Sequence, residues 1–138
     1  MPYNLTWKRY GAFRQYLGSV TITERIASLE AICGDQRFDS LCYCITDYSE
    51  VESYEITDAS TAEIAARHIG PLMTNPGIAI AAVATRSEII AAIESFKSYS
   101  FTSAPYCIFA TLQEARRWTN AHMASLIGPQ DLGLRASR

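Results

Sequence analysis

The chain has 138 residues, of which 49% are hydrophobic and 19% charged, enough for one domain with a real core. Its net charge of −2 offers no basic field to hold a phosphate backbone, which disfavours nucleic-acid binding. No apolar run approaches the roughly 18 to 20 residues that cross a bilayer. The start, Met1-Pro2-Tyr3-Asn4, has neither the charged region nor the apolar core of a signal peptide, so a cytoplasmic protein is expected.

Tyr3, Leu5 and Trp7 alternate with Asn4, Thr6 and Lys8, the period of a half-buried strand. Gly11 interrupts the pattern, and Phe13, Gln15 and Leu17 alternate again. The two runs read as an antiparallel edge pair. A first helix starts at Thr21, with Glu24 at capping-box spacing, and carries Ile22, Ile26, Leu29 and Cys33 on one face. Gly34-Asp35 reads as its left-handed C-cap. Leu41 to Ile45 reads as a buried strand ending at Thr46–Ser49, followed by a long polar loop through Glu50, Glu52 and Glu55. The next helix begins at Thr57 or at Ser60, with Ile64, Ala65, His68, Ile69 and Leu72 on one face. Gly70-Pro71 should end or kink it.

Asn75-Pro76-Gly77 marks a turn before the apolar strand Ile78–Ala84. Ser87 is expected to cap a helix presenting Ile89, Ile90, Ile93 and Phe96. A loop from Ser98 to Ala104 leads to the strand Tyr106-Cys107-Ile108-Phe109. Thr111 and Glu114 then cap a last helix with Leu112, Ala115, Trp118 and His122 inward. The domain is expected to span residues 1–127, with 128–138 as a loose tail after Gly128-Pro129. Strands apolar on both faces must be covered on both faces. The expectation is a single α/β domain: a mixed, mostly parallel five-stranded sheet flanked by four helices, in the order β-β-α-β-α-β-α-β-α.

Chemistry-bearing motifs are absent: no G-x-S-x-G, P-loop, G-x-G-x-x-G, H-E-x-x-H or C-x-x-C. No catalytic residue, metal site or cofactor is assigned, and the protein is read as not an enzyme. Cys42 and Cys44 sit two apart in a strand, hence on one face. Together with Cys33 and Cys107 they read as free thiols. His68 reads as a hydrogen-bonded core histidine, and Tyr99, Phe101 and Tyr106 as candidates to line a pocket or a partner surface.

Three stretches carry a family resemblance: Ile45-Thr46-Asp47-Tyr48-Ser49-Glu50-Val51, Ile80-Ala81-Ala82-Val83-Ala84-Thr85, and Phe109-Ala110-Thr111-Leu112-Gln113-Glu114-Ala115-Arg116-Arg117-Trp118. With the element order, they resemble STAS domains, the fold of anti-sigma-factor antagonists, and in particular the SpoIIAA-like group of small uncharacterised bacterial proteins. The resemblance covers roughly Trp7 to Met123. In the antagonists a Ser or Thr at the start of the second helix is phosphorylated by a partner kinase. Thr57 falls on that position, with Ile56 and Asp58 standing where the family has serine and glycine. A kinase or an anti-sigma-like protein is the partner this implies.

Ligands of open α/β sheets gather beyond the carboxyl ends of the parallel strands. Asp47, Tyr48, Arg86 and Ser87 are therefore the candidate ligand or partner rim, Arg86 for anions because a helix N-terminus also favours negative charge. The leading function is a non-enzymatic regulatory or protein-interaction module. The alternative is a carrier of a small lipid-like, anionic or nucleotide ligand at that rim. A weaker alternative is an enzyme with an unrecognised site. A homodimer is expected, through an edge strand starting at Tyr3 or through the face carrying Leu72 and Met73.

Overall fold

In the computed structural model, which describes residues 3–99 and 104–127, five strands form one sheet in sequential order. β1 (Tyr3–Trp7) runs antiparallel to β2 (Gly11–Thr21). β3 (Tyr43–Glu55), β4 (Ala79–Val83) and β5 (Tyr106–Phe109) continue the sheet in parallel. Four helical stretches cover it: α1 (Ile22–Cys33), a second in two pieces, α2 (Asp58–Arg67) and α3 (Ile69–Thr74), then α4 (Ser87–Ser98) and α5 (Leu112–Ile127). The second helix breaks at His68, just ahead of Gly70-Pro71, and Pro71 sits in the first turn of α3, where its missing amide would have no helical partner. The expected single α/β domain with a mixed, mostly parallel sheet is what the chain forms. The expected tail, 128–138, and Phe101 lie outside the described residues.

The register assigns each side chain to a face. Tyr3, Leu5 and Trp7 of β1 stand beside Tyr16, Arg14 and Ala12 of β2, and these beside Cys44 and Thr46 of β3. This face packs against α1 and α4, with α2 bridging the two helices. Phe13, Ile45, Ala81 and Val83 project to the opposite face, where Ala115, Leu112 and Trp118 of α5 cover them. Thus β2 is buried on both sides, and Arg14 and Tyr16 point into the core rather than to solvent.

Three local readings are corrected. The segment from Glu50 to Glu55 is not a loop but the second half of β3, paired with Leu17–Thr21 of β2 beyond the end of β4. Two register shifts place two extra residues in β3. Each extra residue reverses the alternation, so Tyr48, Val51 and Tyr54, three apart, reach one core cluster. That period hides a strand from a search for alternation. Gly18, at φ 63°, takes the left-handed backbone beside one shift. Second, the buried face of α1 is Arg25, Ser28, Leu29 and Ile32, rotated from the face expected; Ile22, Ile26 and Cys33 are half-buried. Gly34 closes α1 in right-handed backbone, at φ −85°. Third, Cys42 precedes β3 and joins the α5-side cluster, whereas Cys44 joins the other face. All four cysteines are free.

Helix starts follow their caps. Thr57 is the N-cap of α2, its hydroxyl accepting from the Ser60 amide at 3.1 Å, while Glu63 pairs with Arg67 instead of forming a capping box with Ser60. Thr111 and Glu114 exchange both capping bonds. Ser87 is the first residue of α4 rather than its cap; Arg86 holds the N-cap position and makes no capping bond.

Candidate functional site

Two arginines are buried between the sheet and its helices: Arg14 of β2, 7% exposed, and Arg25 of α1, 6% exposed. Such burial of charge normally demands a carboxylate. Among the described residues neither guanidinium has one. Their partners are hydroxyls and aromatic rings. Arg14 donates from Nη2 and Nε to Thr46 Oγ1, at 2.8 and 3.2 Å, and from Nη1 to Ser28 Oγ at 3.1 Å. Arg25 Nη1 donates to the Tyr16 hydroxyl at 3.0 Å. The Tyr16 and Ser28 hydroxyls bond each other, and Ser28 reaches the Arg25 carbonyl at 3.1 Å. Both guanidiniums also sit over the Tyr16 ring, at 5.1 and 5.7 Å from its centroid.

This hydroxyl circuit closes with neutral Tyr16. Arg25 donates to Tyr16, Tyr16 to Ser28, and Ser28 to the Arg25 carbonyl, leaving a Ser28 lone pair for Arg14. Burial would raise the Tyr16 phenol, but Arg14 and then Arg25 outweigh it, and hydrogen bonds from Ser28 and Arg25 add to them, so its pKa lies below the ordinary tyrosine value. Tyr48, without a hydrogen bond to either arginine, is pushed well up by burial, against the pull of Arg25.

Two small cavities flank the pair. One, of about 40 Å³, is lined by Arg14, Cys33, Cys44 and His68 among apolar side chains of α1, α3 and β4. Burial, reinforced by the nearby arginine charges, lowers His68 to about 3 despite its bond to the Ile64 carbonyl at 2.8 Å. The ring is therefore neutral, its Nδ1 donating to that carbonyl, and it meets Phe96 edge-on at 4.8 Å. Burial likewise pushes the Cys33 thiol up to about 11 and raises Cys44 and Cys42, against thiolate chemistry. The second cavity, of about 10 Å³, is lined by Arg25, Tyr48, Tyr54, Thr61, Phe96 and Tyr106. Tyr106 thus lines a pocket, whereas Tyr99 is exposed.

The residues singled out at the strand ends do not form one rim. Tyr48 is buried, its ring 5.5 Å from Tyr16 and 5.9 Å from Tyr54. Asp47 is buried at the last β3–β4 pair, where its carboxylate accepts from the Ser49 amide at 2.8 Å and fixes the first register shift. Arg86 is engaged: Nη1 donates to the carbonyl of Val51 at 2.7 Å and to that of Glu52, and Nε pairs with Glu88. It caps the edge of β3 left open where β4 ends, and is not poised for an anion. Ser87 is exposed beside it, and Thr57 is exposed at the head of α2.

Reading the sequence missed Arg14, Arg25, Tyr16 and Ser28. Arg25, Ser28 and Ile32 do share one helical face, and Arg14 and Tyr16 alternate in step with Ala12. The weighting of Ile22 and Ile26 over that polar stripe obscured it.

Comparison with known proteins bears on fold alone. No family model matches the chain, and no curated protein sequence matches it. Solved structures do. The anti-sigma factor antagonist SpoIIAA in its unphosphorylated form superposes with a TM-score of 0.58 at 13% identity, over 86% of this chain and 97% of that one. An uncharacterised protein from Shewanella loihica PV-4 with a SpoIIAA-like fold, of the DUF3478 family, gives 0.53 at 11% identity, over 85% and 91%. An anti-sigma factor antagonist from Mycobacterium paratuberculosis gives 0.53 at 16% identity, over 86% and 92%. The fold is STAS-like, of the SpoIIAA type.

Proposed function

We propose that the protein is a STAS-like regulatory module that docks a protein partner through the surface around the start of α2, with Thr57 as its phosphorylation switch. The observation that carries this reading is the exposed Thr57 hydroxyl at the N-cap of α2, on a fold shared with two anti-sigma factor antagonists. A phosphate there would meet the free amides and positive end of the helix, with Asp58 one residue on opposing it. Met73 of α3, 72% exposed, adds an apolar anchor on the same layer, while Leu72 is buried and belongs to the core. Pairing of a second copy would fall to the outer edge of β1.

Host lysate with ATP, followed by phosphosite mapping, tests the switch. Phosphate on Thr57, with loss of a captured host protein in T57E and its retention in T57A, is the expected result. Label confined to other residues would sink it. A second reading, small-ligand binding, draws on the cavities beside Arg14 and Arg25, which lie beneath the helices rather than at the strand ends.

A further inference from the structure

Two buried guanidiniums, Arg14 and Arg25, have no carboxylate partner among the described residues; the buried Asp47 carboxylate accepts from the Ser49 amide instead. The Arg25 Nε is buried and has no hydrogen-bond partner. An orphaned donor on a charged group is costly, so native structures fill such positions. Arg25 lines the cavity of about 10 Å³ shared with the rings of Tyr48, Tyr54 and Tyr106. That space holds the centre of one small particle and excludes any larger ligand. The Tyr48 ring packs against Tyr16 at 5.5 Å and Tyr54 at 5.9 Å, so the phenol rings and the guanidinium form one cluster around this space. Phenol and guanidinium groups donate, which suits a negative guest. A water molecule could satisfy the orphan donor but would leave both guanidiniums unbalanced.

We infer that this cavity is a binding site for a single monatomic anion of halide size, chloride being the natural occupant. It would sit between Arg25 Nε and the tyrosines, under α2 and α4. Tyr54 comes from the irregular half of β3, Thr61 from α2 and Phe96 from α4. A bound ion therefore ties the two-stranded extension of the sheet to the helical layer. The site is independent of the Thr57 switch.

Bromide serves as the probe. The intact chain, crystallised in sodium bromide, should show an anomalous peak within about 3.5 Å of Arg25 Nε, the contact a guanidinium N–H makes with a halide. In solution, sodium chloride should raise the melting temperature saturably by about 3–6 °C over sodium gluconate at equal ionic strength. R25M should lose that difference. Should R25M fail to fold, the wild-type crystal decides alone. Density at the cavity without an anomalous signal, bromide found only on the surface, or equal melting in chloride and gluconate would each overturn the assignment.

Discussion

The acceptors of Arg14 should matter more to stability than its charge. Thr46 Oγ1 takes two of its bonds, at 2.8 and 3.2 Å, in the middle of the sheet. Replacing Thr46 by valine keeps the shape and strands two donors of a buried cation. A hydrogen bond to a charged group contributes about 1.5–3 kcal/mol, and the extra methyl returns about 1 kcal/mol. With two such bonds lost, the net cost of T46V should therefore be about 2–5 kcal/mol. R14M removes the charge together with its donors and fills similar volume. Exchange of an uncompensated buried ion for an apolar chain is often neutral, so R14M should fall within about 1–2 kcal/mol of the wild type. The double variant should recover most of the T46V loss, a coupling of about 2 kcal/mol. Urea unfolding followed by tyrosine and tryptophan fluorescence, with m-values compared, supplies all four corners of the cycle. An R14M variant that loses more than T46V would show that the guanidinium itself, not its partners, holds this region together.

Three further outcomes are expected. Gly11 lies under the Tyr43 ring, where an added Cβ would come within 2.0 Å of Cζ, so G11A should displace the ring and cost about 2–3 kcal/mol in urea unfolding; an unchanged midpoint would refute the contact. His68 is held neutral, with its pKa lowered to about 3 from an ordinary 6.5, chiefly by burial. Protonation then favours the unfolded chain: its contribution is whole above about pH 6.5 and fades as pH falls toward 3, by up to about 1.4 kcal/mol per pH unit, and H68F should flatten that part of the profile. A wild-type slope left intact in H68F would contradict it. Arg86 covers an open strand edge with a side chain that is 42% exposed, so R86A should change stability by only about 1 kcal/mol yet raise light scattering on prolonged incubation; equal scattering would argue that the edge needs no cover.

What could be read along the chain was what local rules decide. The capping pairs Thr21–Glu24 and Thr111–Glu114, the apolar run Ile78–Ala84 and the strand–helix alternation each depend on residues a few positions apart, and they located the elements and the fold. Three matters needed the assembled sheet. The second half of β3 was hidden because its register shifts break the two-residue period. The polar stripe of α1 turned inward because Arg14, Tyr16 and Thr46 wait beneath it, and a helix read alone shows only that Ile22 and Ile26 are apolar. Arg86 was legible as a cation beside a helix start, but its partners, the Val51 and Glu52 carbonyls, lie some 35 residues back in the chain. Thr57 was legible as a cap and as the position implied by resemblance, and it caps α2.

The spacing of Tyr48, Val51 and Tyr54 has a bearing on how this chain can vary in length. Most exposed connections tolerate gain or loss of a residue. Here a single deletion between Ser49 and Ser53 would erase one register shift and send Tyr54 to the opposite side of the sheet, away from Tyr48. Relatives of this protein should therefore keep the number of residues from Asp47 to Thr57 constant while letting exposed positions such as Glu50 and Glu52 change freely. Counted length, more than residue identity, would be the mark by which this segment is recognised.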